Sequence, residues 1–369
     1  MEQMPVKKMR LEWLDALRGF TMILVVAFHV GLHGFGLPTQ MSPSMNFLVL
    51  FRMPLFFFVS GFLAYKAGLV WNMPTLGSLV FKKIKIQTIP TIVFFLFAAM
   101  VLGKHFSETV MEWLKMPTKG GYWFTIALLY MFIIYYLFSY IESKIFAHVS
   151  PRNVRRFSWI PIVLLFVVSL VFYETCYLPR SFAWAMGHRG PRNDFMDYSS
   201  FGQLFMYFPF FLYGNIVRRY WEQAQRVMDS RWFYPVIVVI VIFAALDSQN
   251  WHILRMEWAI LPLTLARFML LTMVFMYFRY YEKYFTRFTV IGRSLQYIGR
   301  RTLDIYLIHF LFMPQLPGVG KFFMTYSHNF VMDTTLSVLL AIVIIGFCII
   351  TSNILRVSPF FKKWLFGRS

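Results

Sequence analysis

Long apolar stretches separated by short polar segments set the pattern of this chain of 369 residues. A membrane-spanning helix needs roughly 17–25 mostly apolar residues. That criterion predicts ten helices, near 12–33, 46–66, 88–104, 121–141, 158–174, 199–217, 232–247, 258–278, 302–316 and 332–353, of which the ninth is the weakest. An even number of crossings puts both termini on one side of the membrane. Basic residues in short connections mark the cytoplasm. The segments on the side of the termini carry 25 Lys and Arg and the opposite loops carry 8, so both termini are expected in the cytoplasm. The expected fold is all-α: a polytopic, multi-pass protein of the inner (plasma) membrane, with residues 1–369 forming a single membrane domain. No internal repeat is visible, and no similarly interrupted segments recur in two halves, which counts against an inverted-repeat transporter.

Composition agrees with this pattern. Hydrophobic residues make up 59% and charged residues only 14%, whereas water-soluble domains carry about 25% charged residues. The net charge of +20, from 36 Lys and Arg against 16 Asp and Glu, would suit a nucleic acid if it formed one patch. Here the charges lie between apolar runs, where they set topology and anchor to lipid headgroups; membrane lipid is an expected partner and nucleic acid is not. Cys176 and Cys348 lie in separate segments and form neither a disulfide framework nor a metal knuckle. The basic start Met1 to Arg10 imitates a signal peptide, but no small-residue cleavage site closes it, and it reads as the lead into the first span. The longest outer loop, Thr175 to Tyr198, is broken by Pro179, Gly187, Gly190 and Pro191 and leaves no room for a soluble domain.

Three arginines, Arg18, Arg52 and Arg267, stay inside predicted spans, where an unpaired cation facing lipid costs several kcal/mol. Each needs a partner or a ligand. Arg18 is the most informative, because eleven residues at about 100° each bring His29 back to the same helix face, roughly 16 Å further along the axis. Asp15, three residues before Arg18, is within side-chain reach of it. Two readings stand side by side: an interfacial structural pair with a hydrogen-bonded histidine, or a polar stripe that carries chemistry. His33 lies one turn beyond His29, but no carboxylate or cysteine accompanies the pair at ligand spacing, and no metal is expected. In the second helix, Pro54 frees a carbonyl and predicts a kink, Ser60 and Gly61 permit close helix approach, and Arg52 either snorkels or faces a pocket. The run Lys82, Lys83, Lys85 reads as a cytoplasmic loop that contacts either lipid headgroups or a soluble phosphate. His328 and Asp333 have the spacing of a catalytic His/Asp pair but lack the accompanying motif blocks.

Leu14-Asp15-Ala16-Leu17-Arg18-Gly19 with His29, followed by Arg52-Met53-Pro54-Leu55-Phe56-Phe57-Phe58-Val59-Ser60-Gly61, resembles the acyltransferase-3 family of integral membrane enzymes. Gly121-Tyr122-Trp123-Phe124 is similar to the family's tryptophan-containing motif, and Asp304-Ile305-Tyr306-Leu307-Ile308-His309 to its late Tyr-x-x-His segment. The resemblance runs from about residue 11 to the last helix and implies a ten-helix core. It also implies transfer of an acyl group, commonly acetyl from acetyl-CoA, to hydroxyls of extracytoplasmic carbohydrate, lipid or cell-wall acceptors. On that footing Arg18 and His29 are the expected catalytic residues, and Asp15, Arg52, Ser60, Trp123, Tyr306 and His309 the expected substrate-binding ones. Acyl-CoA is the expected co-substrate, held by Arg18, Lys82, Lys83 and Lys85. Many members carry arginine where this chain has those three lysines, which loses bidentate phosphate recognition. Some members carry a fused extracytoplasmic hydrolase-like domain; none is expected here.

The membrane separates a cytoplasmic acyl-CoA from an extracytoplasmic hydroxyl. The expected solution keeps the nucleotide at the basic face near Arg18 while the pantetheine arm carries the thioester toward His29, which acts as general base or as acyl carrier. An oxyanion stabiliser is required, with Arg52, Ser60 or a backbone N–H as candidates. The competing reading is a transporter or flippase for a cell-envelope precursor that uses the same polar stripe without covalent chemistry. Phe182, Trp184, Trp251 and Trp258 either stack on acceptor sugars or anchor outer loops at headgroups.

Overall fold

The computed structural model describes residues 11–37, 42–174, 194–246, 260–326 and 330–366. Among them there are helices and no strands. The elements that build the bundle are α1 (Glu12–His29), α2 (Pro43–Ala64), α3 (Met73–Lys83), α4 (Ile89–Leu102), α5 (Trp123–Phe146), α6 (Ile160–Phe172), α7 (Phe201–Arg219), α8 (Phe233–Leu246), α9 (Ile260–Tyr280), α10 (Val290–Gly299), the short α11 (Thr302–Ile308) and α12 (Phe330–Leu355). A π-helical turn, Val30–Gly34, prolongs α1, and another, Ile84–Thr88, joins α3 to α4. Five stretches are long and apolar enough to cross a membrane: Glu12–Gly34, Pro43–Ala64, Met73–Leu102, Trp123–Phe146 and Phe330–Leu355. The remaining predicted segments are helical too, at 160–172, 201–219, 233–246, 260–280 and 302–312.

One boundary differs in a way that matters. The third helix begins at Met73, not near 88, so Lys82, Lys83 and Lys85 stand on a helix rather than in a loop. Local chemistry starts it there: the Asn72 side chain accepts from Thr75 N at 2.8 Å, and Pro74 occupies the first turn, where a missing N–H is harmless. Three lysines lower the mean hydropathy and hide that start from an apolar-length criterion. The ninth segment is short because α11 passes into a 3₁₀ turn, His309–Phe312, and Pro314 cannot continue it. α2 runs on through Pro54. Its N-terminus is capped by Ser42, which accepts from Met45 N and donates to the buried Asp333 carboxylate. Asp333 is therefore engaged structurally; His328 lies outside the described residues, as do Cys176, Phe182, Trp184, Trp251 and Trp258.

α1 sits at the centre, against α2, α9, α10, α11 and α12. Two crossings are backbone to backbone. A Cβ placed on Gly299 would lie 1.8 Å from the Asp15 carbonyl oxygen, and one on Gly19 would lie 2.0 Å from that of Leu295. The same reciprocity joins α2 to α7, with Gly61 against the Phe211 carbonyl and Gly214 against that of Phe58. This bears out the close approach expected at Gly61. Large apolar side chains stay exposed on α4 (Ile92, Phe97), α6 (Leu164, Val167), α8 (Val236, Val239) and α12 (Leu339, Val343), which makes these the lipid-facing helices and leaves α1, α2 and α7 to form the core.

Candidate active site

Both polar ends of α1 meet one short element. Arg18 Nη2 donates to Thr302 Oγ1 at 3.0 Å, and its guanidinium lies 3.7 Å from the Asp15 carboxylate. Eleven residues on, His29 Nδ1 is 2.8 Å from His309 Nε2, with the rings nearly parallel at 12° and 5.0 Å apart. Arg18 and His29 thus face the same neighbour, the segment from Thr302 to Phe312, which runs in the same direction as α1.

The hydrogen bonds around His309 fix the tautomers. Its Nδ1 lies 2.8 Å from the Tyr306 carbonyl and 3.1 Å from that of Ile305. Carbonyls only accept, so Nδ1 carries the proton and Nε2 of the neutral ring is an acceptor. His29 must then donate from Nδ1, which leaves its Nε2 unprotonated and basic. His309 is completely buried, whereas His29 keeps partial exposure and His33, one turn on, is exposed. Among the described residues no group of three or more His, Cys, Asp or Glu side chains gathers into a metal-ligand set.

Arg52 is buried beside this pair. Its guanidinium carbon lies 3.6 Å from the centre of the Phe28 ring, and its Nε has no hydrogen-bond partner among the described residues. A buried cation held by an aromatic face and lacking a carboxylate among the described residues is a standing attraction for negative charge. The third intramembrane arginine is engaged elsewhere: Arg267 Nη1 donates to the Tyr173 hydroxyl at 2.5 Å.

Below the histidines, toward the Arg18 end, lies a cavity of about 410 Å³. Arg18, Lys66, Lys82, Lys83 and Arg300 supply its positive charge, and Met22, Val25, Met53, Phe56 and Phe124 its apolar part. The lining reaches Tyr306, one turn short of His309. Tyr306 is fixed by accepting from Phe124 N at 3.2 Å and donating to the Gly121 carbonyl at 2.5 Å. Its hydroxyl thereby satisfies one of the orphan N–H groups at the start of α5. Tyr122 returns the contact by donating to the Leu307 carbonyl at 3.0 Å. The tryptophan-containing motif and the Tyr-x-x-His segment are therefore bolted to each other.

The remaining candidates divide between the cavity and its supports. Ser60 lines the cavity, but its hydroxyl donates to the Phe56 carbonyl. Trp123 does not line it and stacks on Tyr207 at 5.3 Å, while its neighbour Phe124 does line it. Asp15 is buried and outside the lining, held against Arg18. Lys82 and Lys83 face the cavity together with Leu79, Ile86 and Gln87, a helical stripe that leaves Lys85 on another face. Lys83 also places its ammonium 3.4 Å from the centre of the Phe132 ring. Sequence reasoning missed Lys66, Arg300, Thr302 and Asp304 as lining residues. The two cations were read only as topology determinants, and the threonine carries no signal until its neighbour is known.

No curated protein and no solved structure matches the chain. A family model described as an acyltransferase domain matches residues 11–353. That span holds α1 with Arg18 and His29, the α5 start, and the segment that unites them, so this chain belongs to the acyltransferase-3 family.

Proposed function

We propose that this membrane acyltransferase moves a short acyl group, acetyl in the first instance, from cytoplasmic acyl-CoA to a hydroxyl of an extracytoplasmic glycan or glycolipid. The observation that carries the reading is the His29–His309 pair, set between a basic cavity on one side and an exposed histidine turn on the other. On this reading all ten apolar helices cross the inner membrane with both termini in the cytoplasm, and the cations around the cavity face the side where acyl-CoA is made.

The phosphates of the donor meet Arg18, Lys66, Lys82, Lys83 and Arg300, and the pantetheine arm lies along Met22, Val25 and Met53 toward Tyr306. The acceptor arrives from the opposite side. His29 Nε2 takes the proton of the acceptor hydroxyl as its oxygen attacks the thioester carbonyl, forming a C–O bond and a tetrahedral oxyanion. Arg52 supplies the charge that stabilises this oxyanion. Collapse breaks the C–S bond, and the proton on His29 passes to the departing thiolate. Throughout, the His29 Nδ1–H bond to His309 holds the ring in the reactive tautomer; general-base catalysis of this kind contributes about 10²–10⁴-fold.

The test uses purified protein in lipid nanodiscs with labelled acetyl-CoA and cell-envelope glycans, comparing wild type with His29→Ala and Arg18→Ala. Labelled acceptor from the wild type and background transfer from both variants is expected. Undiminished transfer by His29→Ala would overturn the mechanism. CoA-independent uptake of a glycan precursor into vesicles by that variant would establish a transporter instead.

A further inference from the structure

His29 has a second imidazole beside it on the side away from the cavity. One turn further along, the His33 ring is exposed, and its centre lies 5.9 Å from that of His29. Phe310 touches both rings: its centre is 5.0 Å from His29 and 5.7 Å from His33, which it meets at 74°. Phe310 fits there because Gly121, at φ +98°, has no Cβ; one would lie 2.3 Å from the Phe310 ring. The backbone that carries His33 is pinned as well. It belongs to the π-helical turn Val30–Gly34, a distortion often found at functional sites. The Gly34 carbonyl accepts from Leu316 N at 2.7 Å and the Gly31 carbonyl from Leu37 N at 3.0 Å, while a Cβ on Gly31 would meet Met45 Sδ at 2.8 Å. Among the described residues the His33 ring makes aromatic contacts and no hydrogen bond.

We infer that His33 holds a second hydroxyl of the acceptor, the neighbour of the one that His29 deprotonates, so that the acceptor is a vicinal diol of a sugar ring and not an isolated alcohol. The inference rests on the acyl-transfer reading above. His29 and His33 share one face of the helix, and an acceptor that reaches His29 from the side away from the cavity meets the exposed His33 on the way. Adjacent hydroxyl oxygens of a sugar ring are about one hydrogen-bond length apart. A diol whose first hydroxyl meets His29 therefore presents its second to an imidazole one turn away. The attacking oxygen is the wrong ligand for His33, because an N–H drawing on its lone pairs would weaken it as a nucleophile. The neighbouring hydroxyl carries no such penalty. A side chain on a pinned turn is also pre-ordered, so little entropy is lost when the second hydroxyl binds.

Transfer from labelled acetyl-CoA to cell-envelope glycan by the full chain in nanodiscs supplies the test. His33→Leu is expected to raise the glycan KM about tenfold, the scale of one lost hydrogen bond, with kcat and the donor KM unchanged. His33→Gln, which keeps a donor and an acceptor, should recover most of that loss. Two small alcohols added as competitors read the diol directly. With wild type, trans-cyclohexane-1,2-diol should compete with the glycan about tenfold better than cyclohexanol; with His33→Leu the two should be equal. Equal competition by both alcohols in the wild type would overturn the inference. So would an unchanged glycan KM in His33→Leu, or a fall in kcat alone, which would mark a role in holding the helix end. If the wild type labelled no glycan, the acyl-transfer reading itself would fall.

Discussion

Replacing His309 by leucine tests the central geometric argument. The side chain is fully buried and makes contacts through both ring nitrogens, 2.8 Å to His29 and 2.8 Å to the Tyr306 carbonyl. Leucine fills similar space but offers no acceptor to the His29 Nδ1–H. A buried donor left without an acceptor costs about 1–3 kcal/mol, so the ring would turn over to the tautomer that places its proton on Nε2. At about 1.4 kcal/mol per tenfold, the reactive tautomer becomes about 5- to 140-fold rarer. The effect is of the kind seen when the orienting group of a catalytic triad is changed, where the wrong tautomer alone lowers the rate by about 10⁴ with the geometry intact. The assay is single-turnover acyl transfer at saturating donor and acceptor, which reads the chemical step. Expected is a single-turnover rate constant lowered by about 10²-fold or more, with both KM values, read from steady-state titrations, unchanged. His309→Gln, whose amide oxygen reaches toward the Nε2 position, should recover most of the loss. A leucine variant with the wild-type single-turnover rate constant, or a glutamine variant no better than leucine, would refute the orienting role.

Four further outcomes follow from the same structure. Gly299→Ala puts a methyl group into the Asp15 carbonyl; overpacking of about 1–3 kcal/mol should lower the melting temperature in detergent and weaken donor binding at Arg18 together. Arg52→Met removes a buried cation that lacks a carboxylate partner among the described residues, so thermal stability should rise while kcat falls by about 10²–10³-fold, a divergence seen only by measuring both. Tyr306→Phe orphans the Phe124 N–H and the Gly121 carbonyl and should cost about 1–3 kcal/mol, read as faster thermal inactivation. Asp229, outside the spans, is held below its usual carboxylate range by the Arg279 guanidinium, which forms two 2.8 Å hydrogen bonds with it. Its contribution is present above the ordinary carboxylate pKa and is lost as pH falls through the depressed folded value. Asp229→Asn should therefore lower the melting temperature at neutral pH and match wild type in acid.

The helices were legible because lipid demands continuous apolar length, and the stripe joining Arg18 to His29 because helical rotation is fixed by backbone geometry. The α3 start at Met73 was not, since three lysines on one turn imitate a loop when hydropathy is averaged. The partner of His29 posed a different problem. Both histidines were singled out, but a 2.8 Å contact across 280 positions depends on how α1 packs against a seven-residue helix, and no local pattern encodes that. Lys66 and Arg300 were hidden for the same reason: nearness to a cavity belongs to the assembled bundle, and surface-like composition gives no warning of it.

The segment from Thr302 to Phe312 touches Arg18 with its first residue and His29 with its eighth. It is short, braced by Tyr122 and Tyr306, and stopped by Pro314, so it moves as one strut. A substitution that displaces its Thr302 end is therefore expected to displace the imidazole at the other. The imidazole is already oriented by that segment, through the 2.8 Å contact to His309, so a single rigid brace fixes both polar ends of α1.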